Sequence, residues 1–329
     1  MGILKWVFTT NMSFSTTNTC IIEQPEPLKE INEKFETSFF LPKSSNRLGE
    51  GGLRTKGKFK SNHINKPLVT VITIVYNDYL HIEKTILSVL NQTYTNVEYI
   101  IVDGGSSDGT LDIIKKYEQA IDYWTSERDA GIYDAMNKGI ILAAGTWINF
   151  MNSGDLFYEN KTISSIIKNS MRDLNLALIY GNTNRISDKT LYLANIKKAP
   201  SDFTLDDLLM KMPICHQSIF FSLWSFKHIG LYDTSYKICA DHDWLIKAKL
   251  NNCKSKYLSL CISSYNMDGL SSSSIFNRER ERLKIALVHF DKKFKPKLYI
   301  RVLISVIKSP IKFSLSKLNL LGLHLRIKI

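Results

Sequence analysis

Three short stretches of this chain put oxygen-bearing side chains where an apolar run gives way to a loop. Tyr99–Thr110, YIIVDGGSSDGT, is apolar until Asp103, then passes through glycines and serines to Asp108 before a helical pattern begins. Thr146–Met151, TWINFM, repeats the plan and ends in Asn152, Ser153, Gly154 and Asp155. The β-branched run LVTVITIVYN, starting at Leu68, ends in Tyr76 and Asn77. Open α/β sheets bind ligands just past the carboxyl ends of their strands, so these residues are expected to share one edge. There Tyr76 can stack a flat base, Asp103 can accept its imino proton, and the second loop offers oxygens that suit a hard divalent cation.

A parallel sheet is needed to hold such an edge together. Leu80, Ile82, Ile86, Leu87 and Leu90 share one helical face after the first strand. Next come an expected strand over 97–102, a helix over 108–117, a short strand near Tyr123, a helix over 132–143 and a strand over 146–150. A helix over 161–169 and a strand over 176–180 follow. Strands alternating with helices imply a parallel, helix-covered sheet. Residues 192–264 read as short strands mixed with helices, and 274–294 as a charged helix. Residues 1–66, with Pro25, Pro27, Pro42 and the glycines around Gly49–Gly52, read as an irregular, partly disordered extension.

The composition narrows the function classes. With 329 residues, 44% apolar and 22% charged, the chain can bury a sizeable core. Its net charge is +12, and no acid follows Asp291. Beyond Pro296, Leu298, Ile300, Val302, Leu303, Val306 and Ile307 alternate with Arg301 and Lys308 as an interfacial helix on an anionic membrane would. A helix docked on the domain, or a solvated basic tail, fits the same pattern. No nucleic-acid partner is expected. Five cysteines, an odd number without a C-x-x-C pair, suit a reducing compartment, and Cys215-His216 and Cys239 with His242 match no common zinc spacing. No run approaches the roughly 18 uncharged apolar residues of a spanning helix, and the N-terminal apolar stretch is too short for a signal segment. Gly52–Lys58, GLRTKGK, has Walker spacing, but Phe59 stands in place of the magnesium-binding hydroxyl. No G-x-G-x-x-G follows a strand, which weakens a nicotinamide reading.

VTVITIVYN, VDGGSSDGT, DAGIYDAMNKGI, INFMNSGD and CADHDWLIKA occur in this order. They resemble family 2 glycosyltransferases of the GT-A fold, especially bacterial enzymes of surface-polysaccharide assembly, over about Leu68–Tyr265. The resemblance implies an α/β, Rossmann-like, mostly parallel sheet flanked by helices, with a C-terminal amphipathic helical extension. The domains expected are an extension over 1–66, a catalytic domain over 67–272 and a basic tail over 273–329. The catalytic domain would divide into a nucleotide-sugar half, 67–183, and an acceptor half, 184–272.

Carried over by motif, Tyr76 and Asp103 would hold the nucleobase, with Asp134, Asn137, Lys138, Asn152 and Ser153 as further nucleotide-sugar contacts. Asp155 would bind Mg²⁺ or Mn²⁺ at the diphosphate. Ala240-Asp241-His242-Asp243 stands where the family has Glu-Asp-x-Asp, which makes Asp241 the general base. His216, Gln217 and Asp243 would lie on the acceptor or diphosphate side. The loop departs from the acid-rich family form, having Asn152 and Gly154 where carboxylates often stand. Blander roles compete: Asp241 as a helix cap, Asn137 and Lys138 as surface residues, His216 as a structural histidine.

The activity implied is inverting and metal-dependent. One sugar would move from a nucleotide-sugar donor to a hydroxyl of a polyprenyl-diphosphate-linked glycan in O-antigen, capsule or exopolysaccharide assembly. The enzyme would be cytoplasmic and peripheral on the inner face of the cell membrane. No Q-x-x-R-W segment is present, which favours single-sugar addition. Two alternatives remain: a catalytically inactive nucleotide-sugar-binding module, and a sugar nucleotidyltransferase, although Tyr76-Asn77-Asp78 is not its Gly-rich basic loop.

Overall fold

Val69 to Val75, VTVITIV, is buried at every position, as β-branched side chains are when a strand is covered on both faces. The computed structural model describes residues 14, 20–27, 33–170, 175–187, 195–267 and 275–290. Its strands are β1 (Arg47–Gly51), β2 (Val69–Val75), β3 (Val97–Asp103), β4 (Tyr123–Glu127), β5 (Trp147–Phe150), β6 (Leu156–Phe157), β7 (Leu176–Ile186), β8 (Asn195–Lys197), β9 (Ile219–Ser222) and β10 (Lys254–Asn266). The helices are α1 (Ile82–Leu90), α2 (Thr110–Lys116), α3 (Ile132–Leu142), α4 (Thr162–Ser170), α5 (Leu205–Met210), α6 (Leu223–Ile229), α7 (Ala240–Leu250) and α8 (Ile275–His289).

The strands form one sheet in the order β1-β4-β3-β2-β5-β9-β7-β10-β6, with β8 beside β7. β2, β3, β4 and β5 pair in parallel, and so do β7 and β10. β9 runs antiparallel between β5 and β7. One apolar layer, including Ile72, Ile100, Phe150, Phe221 and Trp244, covers one face. The other, including Val71, Ile86, Tyr99 and Ile163, covers the opposite face. The chain leaves β2 towards β3 and β4 on one side and later returns to β5 on the other. That reversal makes the carboxyl ends of β2 and β5 the topological switch point where α/β sheets bind ligands.

Two expectations need correction. The division at 183/184 falls inside β7, so the two proposed halves share one continuous sheet. The segment 1–66 is not simply irregular, since β1 extends the sheet antiparallel to β4. Gly52 follows at φ +104°, where a Cβ would meet the Asp122 carbonyl oxygen at 2.8 Å. Glycine alone fits that approach. A short 3-10 turn then aims Arg54 under the sheet, and its guanidinium donates to Phe39 O (3.0 Å), Leu142 O (3.0 Å) and Glu98 Oε1 (2.5 Å). Lys60, equally buried, donates to Asp122 Oδ2 at 3.0 Å and to Val97 O. The acids that receive these two cations lie 44 and 62 positions away in the sequence. Residues 291–329, the larger part of the expected tail, lie outside the described residues, and α8 is its beginning. Among the described residues no helix is long and apolar enough to cross a membrane.

Removing one member of a buried ion pair strands the other charge. Arg54→Ala is therefore expected to cost about 3–5 kcal/mol in urea unfolding. The double variant Arg54→Met with Glu98→Gln should recover a substantial part of that loss.

Candidate active site

The parallel register sets the level of the site: Val75 is opposite Asp103, and Asp103 is opposite Ser126. Asp103 is fully buried there. Its Oδ2 accepts from Ser126 Oγ (2.6 Å) and Ser106 N (3.0 Å), and its Oδ1 accepts from Ser106 Oγ. Its principal partners are thus internal serines, and it fixes the 104–107 loop as the wall of the site. Ser106 Oγ in turn accepts from Asn77 N at 2.7 Å, and Asn77 Oδ1 accepts from Ser107 N at 2.8 Å. Asp108, expected at the start of a helix, accepts from Thr110 N and from Tyr79 N, each at 3.0 Å. The two loops are thereby latched together, leaving the Tyr76 side chain 65% exposed at the rim. A Cβ at Gly104 would lie 3.3 Å from the Tyr76 ring, so that glycine keeps the floor beside the ring open.

Across the switch point, Asp155 is buried on a tight loop whose Asp155 N donates to Asn152 O at 3.0 Å. Its Oδ2 accepts from Gln217 Nε2 (2.8 Å), and its Oδ1 from Asn266 N (2.9 Å). Asn266 reaches it because β6 pairs with the end of β10. Burial pushes the Asp155 carboxyl up to about 7, the two hydrogen bonds oppose this, and the nearby Asp78 carboxylate adds to it. No basic side chain among the described residues forms an ion pair with Asp155. In the same loop Asn152 Oδ1 is buried without a hydrogen-bond donor. A buried carboxylate lacking a counter-charge, beside an oxygen lacking a donor, fits a hard divalent cation. No group of three or more His, Cys, Asp or Glu among the described residues forms a complete cage, so most ligands would come from substrate phosphate.

Asp78 is a residue that motif reasoning passed over. Ser153 Oγ donates to its Oδ2 at 2.6 Å, and His81 Nδ1 lies 2.5 Å from its Oδ1. A Cβ on Gly154 would sit 3.9 Å from Asp78 Oδ2. A carboxylate from the β2 loop thus stands beside the position where the β5 loop lacks one. The signal was the Asp immediately after YN at the strand end.

On the opposite wall, Asp241 occupies the first turn of α7. Its Oδ1 accepts from His242 N (2.9 Å) and shares the single proton of the Tyr133 hydroxyl (3.0 Å) with Ile238 O (2.7 Å). Among the described residues no donor reaches its Oδ2. A 3-10 turn, His216–Ser218, lies between the two walls: Gln217 holds Asp155, and His216 is within electrostatic reach of Asp241 without touching it. His216 stacks on Phe150 at 5.0 Å, and its Nε2 lies 2.9 Å from the Tyr232 hydroxyl. Burial lowers its pKa against the pull of Asp241, which keeps the imidazole neutral.

Other expected contacts are spent elsewhere. The Asn137 amide exchanges two 2.9 Å bonds with the backbone of Tyr232, clasping α3 to the loop before α7. Lys138 pairs with Glu127 (2.8 Å) and Asp134 (3.4 Å), and Asp134 accepts from Ala130 N at 3.1 Å. Asp243 is also removed from the expected acceptor side. Two residues turn a helix by about 200°, so Asp243 points from Asp241 towards α8, where His289 Nε2 lies 2.6 Å away, and Lys247 one turn further along α7 lies 2.7 Å away. Burial raises its pKa, but His289 and Lys247 outweigh this and leave it lowered. None of the five cysteines is in a disulfide; Cys239 is buried and the others are partly so.

Comparison with known proteins adds independent findings. The model of a family described as "Glycosyl transferase family 2" matches residues 70–249. A PGL/p-HBAD biosynthesis glycosyltransferase of Mycobacterium bovis is 33% identical over 219 residues, covering 65% of this chain and 82% of that protein. Among solved structures, Staphylococcus aureus TarS 1–349 in complex with UDP-GlcNAc superposes with a TM-score of 0.52 at 18% identity, covering 72% of each chain. The mannosyltransferase PcManGT from Pyrobaculum calidifontis, in complex with GDP-Man and Mn²⁺, superposes with a TM-score of 0.52 at 16% identity, covering 79% of this chain and 81% of that one. These structural likenesses show the GT-A type of fold.

Because the Asp155 pKa rises from 3.8 to about 7, the metal-free folded state keeps a proton that the unfolded chain has already released. The stability contributed by this group is complete below about pH 4 and is lost as the pH climbs towards 7. In Asp155→Asn that slope is expected to vanish. Urea midpoints measured from pH 4 to 8 in chelator should show the variant gaining on the parent by a few kcal/mol.

Proposed function

This chain belongs to glycosyl transferase family 2 and is a glycosyltransferase, and from that premise we propose an inverting transfer of one sugar from a nucleotide-sugar to an acceptor hydroxyl. The observation that carries the reading is the buried Asp155 carboxyl at the switch point, held by Gln217 and the Asn266 amide with no described cation paired to it, together with Asp241 held through one oxygen at the start of α7. Nucleotide-sugars bound to proteins of similar fold support the class of donor.

In this reading the base stacks at Tyr76 against the wall fixed by Asp103, and the diphosphate lies at the Asn152–Asp155 loop. Mg²⁺ or Mn²⁺ held by Asp155 and phosphate oxygens would supply Lewis-acid stabilisation to the departing diphosphate. Asp241 accepts the proton of the acceptor hydroxyl on Oδ2, while Tyr133 and the His242 amide hold Oδ1 and thereby fix the orientation of the free oxygen. The oxygen so freed attacks the anomeric carbon from the face opposite the diphosphate, which inverts its configuration. Neutral His216 and the Tyr232 hydroxyl line the acceptor approach without adding a competing charge.

A lipid-diphosphate-linked glycan in surface-polysaccharide assembly is the acceptor we propose, with the enzyme peripheral on the inner leaflet. The basic, apolar sequence beyond Pro296 supports that placement, since such segments bind anionic lipid surfaces.

Asp241→Asn is expected to lower nucleoside diphosphate release from a panel of UDP- and GDP-sugars by about 10²–10⁴-fold, with KM for the donor changed little. Undiminished turnover in that variant would remove the base assignment and favour a binding module. Ending the chain after Lys295 should move the protein from the membrane to the soluble fraction of a cell lysate; an unchanged membrane fraction would overturn the proposed location.

A further inference from the structure

We propose that Glu281, on α8, is a positioning residue for Asp241, so that the segment beyond the family match takes part in setting up the base. This rests on the reading of Asp241 given above. Glu281 lies outside residues 70–249. Its Oε1 accepts from Lys237 N at 2.7 Å, and its Oε2 accepts from Ile238 N and Cys239 N, each at 2.9 Å. Three successive backbone amides leading into α7 therefore converge on one carboxylate from another helix.

The need for such a group is local. Cys239 is the N-cap residue of α7 and its side chain makes no capping bond, so the helix start lacks the usual Ser, Thr, Asp or Asn. A negative charge at this end also complements the helix dipole. The Ile238 peptide is then gripped from both sides, since its N–H donates to Glu281 while the next carbonyl in the same residue accepts from Tyr133. Tyr133 is the residue that orients Asp241 Oδ1. A shift of this strand of backbone would move Asp241 and loosen its orienting hydroxyl together. Apolar packing alone does not fix the junction. A groove of about 670 Å³ opens there, lined by Tyr236, Lys237, Arg280 and Lys284.

α8 touches α7 at a second point, His289 with Asp243, which holds the helices together without reaching the 237–239 backbone. That separates positioning from general support. The test compares Glu281→Ala, Glu281→Gln, His289→Ala and Asp241→Asn in the full-length chain, using hydrolysis of UDP-GlcNAc and GDP-mannose and titration with UDP and GDP in the presence of Mn²⁺. Glu281→Ala is expected to lower kcat at least tenfold with donor KM and nucleotide affinity within twofold. Glu281→Gln, which keeps one acceptor oxygen, should recover part of the loss. His289→Ala should lower the melting temperature while leaving kcat within about threefold. Equal losses of kcat in Glu281→Ala and His289→Ala, or an unchanged kcat in Glu281→Ala, would overturn the positioning role. Full turnover in Asp241→Asn would instead show that the base assignment itself is wrong.

Discussion

The parallel pairing of β2 with β3 on one side and β5 on the other is the constraint on which the site depends. It ends neighbouring strands at one level, so the loops carrying Tyr76, Asp103 and Asn152–Asp155 open on the same edge. A slip of one residue would turn every side chain of β2 to the opposite face. The two apolar layers oppose such a slip, because β2 is buried on both sides. The loops are then tied by short polar bonds: Asn77 to Ser106 and Ser107, Tyr79 to Asp108, Ser153 to Asp78. Packing sets the level of the edge and hydrogen bonds set its contour.

The buried acids are treated in distinct ways, and the difference separates structure from site. Glu98 and Asp122 receive cations, Arg54 and Lys60, from the segment before the family match. Asp103 receives hydroxyls and an amide. Asp155 receives two neutral donors and no cation, although burial already disfavours its charge. A buried carboxyl at a switch point with no described counter-charge is costly to ionise in the empty fold, which is why its pKa rises to about 7. The N-terminal segment thus supplies charge balance to the scaffold, and among the described residues no cation does the same for Asp155.

Strand ends in residues 68–180 were legible because apolar runs stop abruptly at Tyr76, Asp103 and Asn152, and the helices between them have clear apolar faces. What each acid does at those ends was less legible. The donors that hold Asp155 come from 62 and 111 positions away, distances over which no local pattern operates. Arg54 and Lys60 were hidden for the same reason, and so was the long parallel pairing of β7 with β10 beneath a stretch that reads as short elements. Lys138 and Asn137 illustrate the opposite error. Their helix faces the expected edge, yet Glu127 and the Tyr232 backbone take up their polar groups first.

Helical geometry explains why two acids of one motif part company. With about 100° per residue, Asp241 and Asp243 cannot share a face, so α7 presents one carboxylate to the site and the other to α8. The second pairs with His289 and Lys247 and anchors the helix, and the first has one oxygen to which no described residue donates. Both ends of that division of labour reach α8, through Asp243 to His289 and through the 237–239 amides to Glu281. The charged helix that composition marks as an appendage is therefore built into the wall that carries Asp241. Of the two contacts, the Glu281 carboxylate fixes the 237–239 backbone from which α7 starts, whereas His289 holds the helices together through Asp243 without touching that backbone.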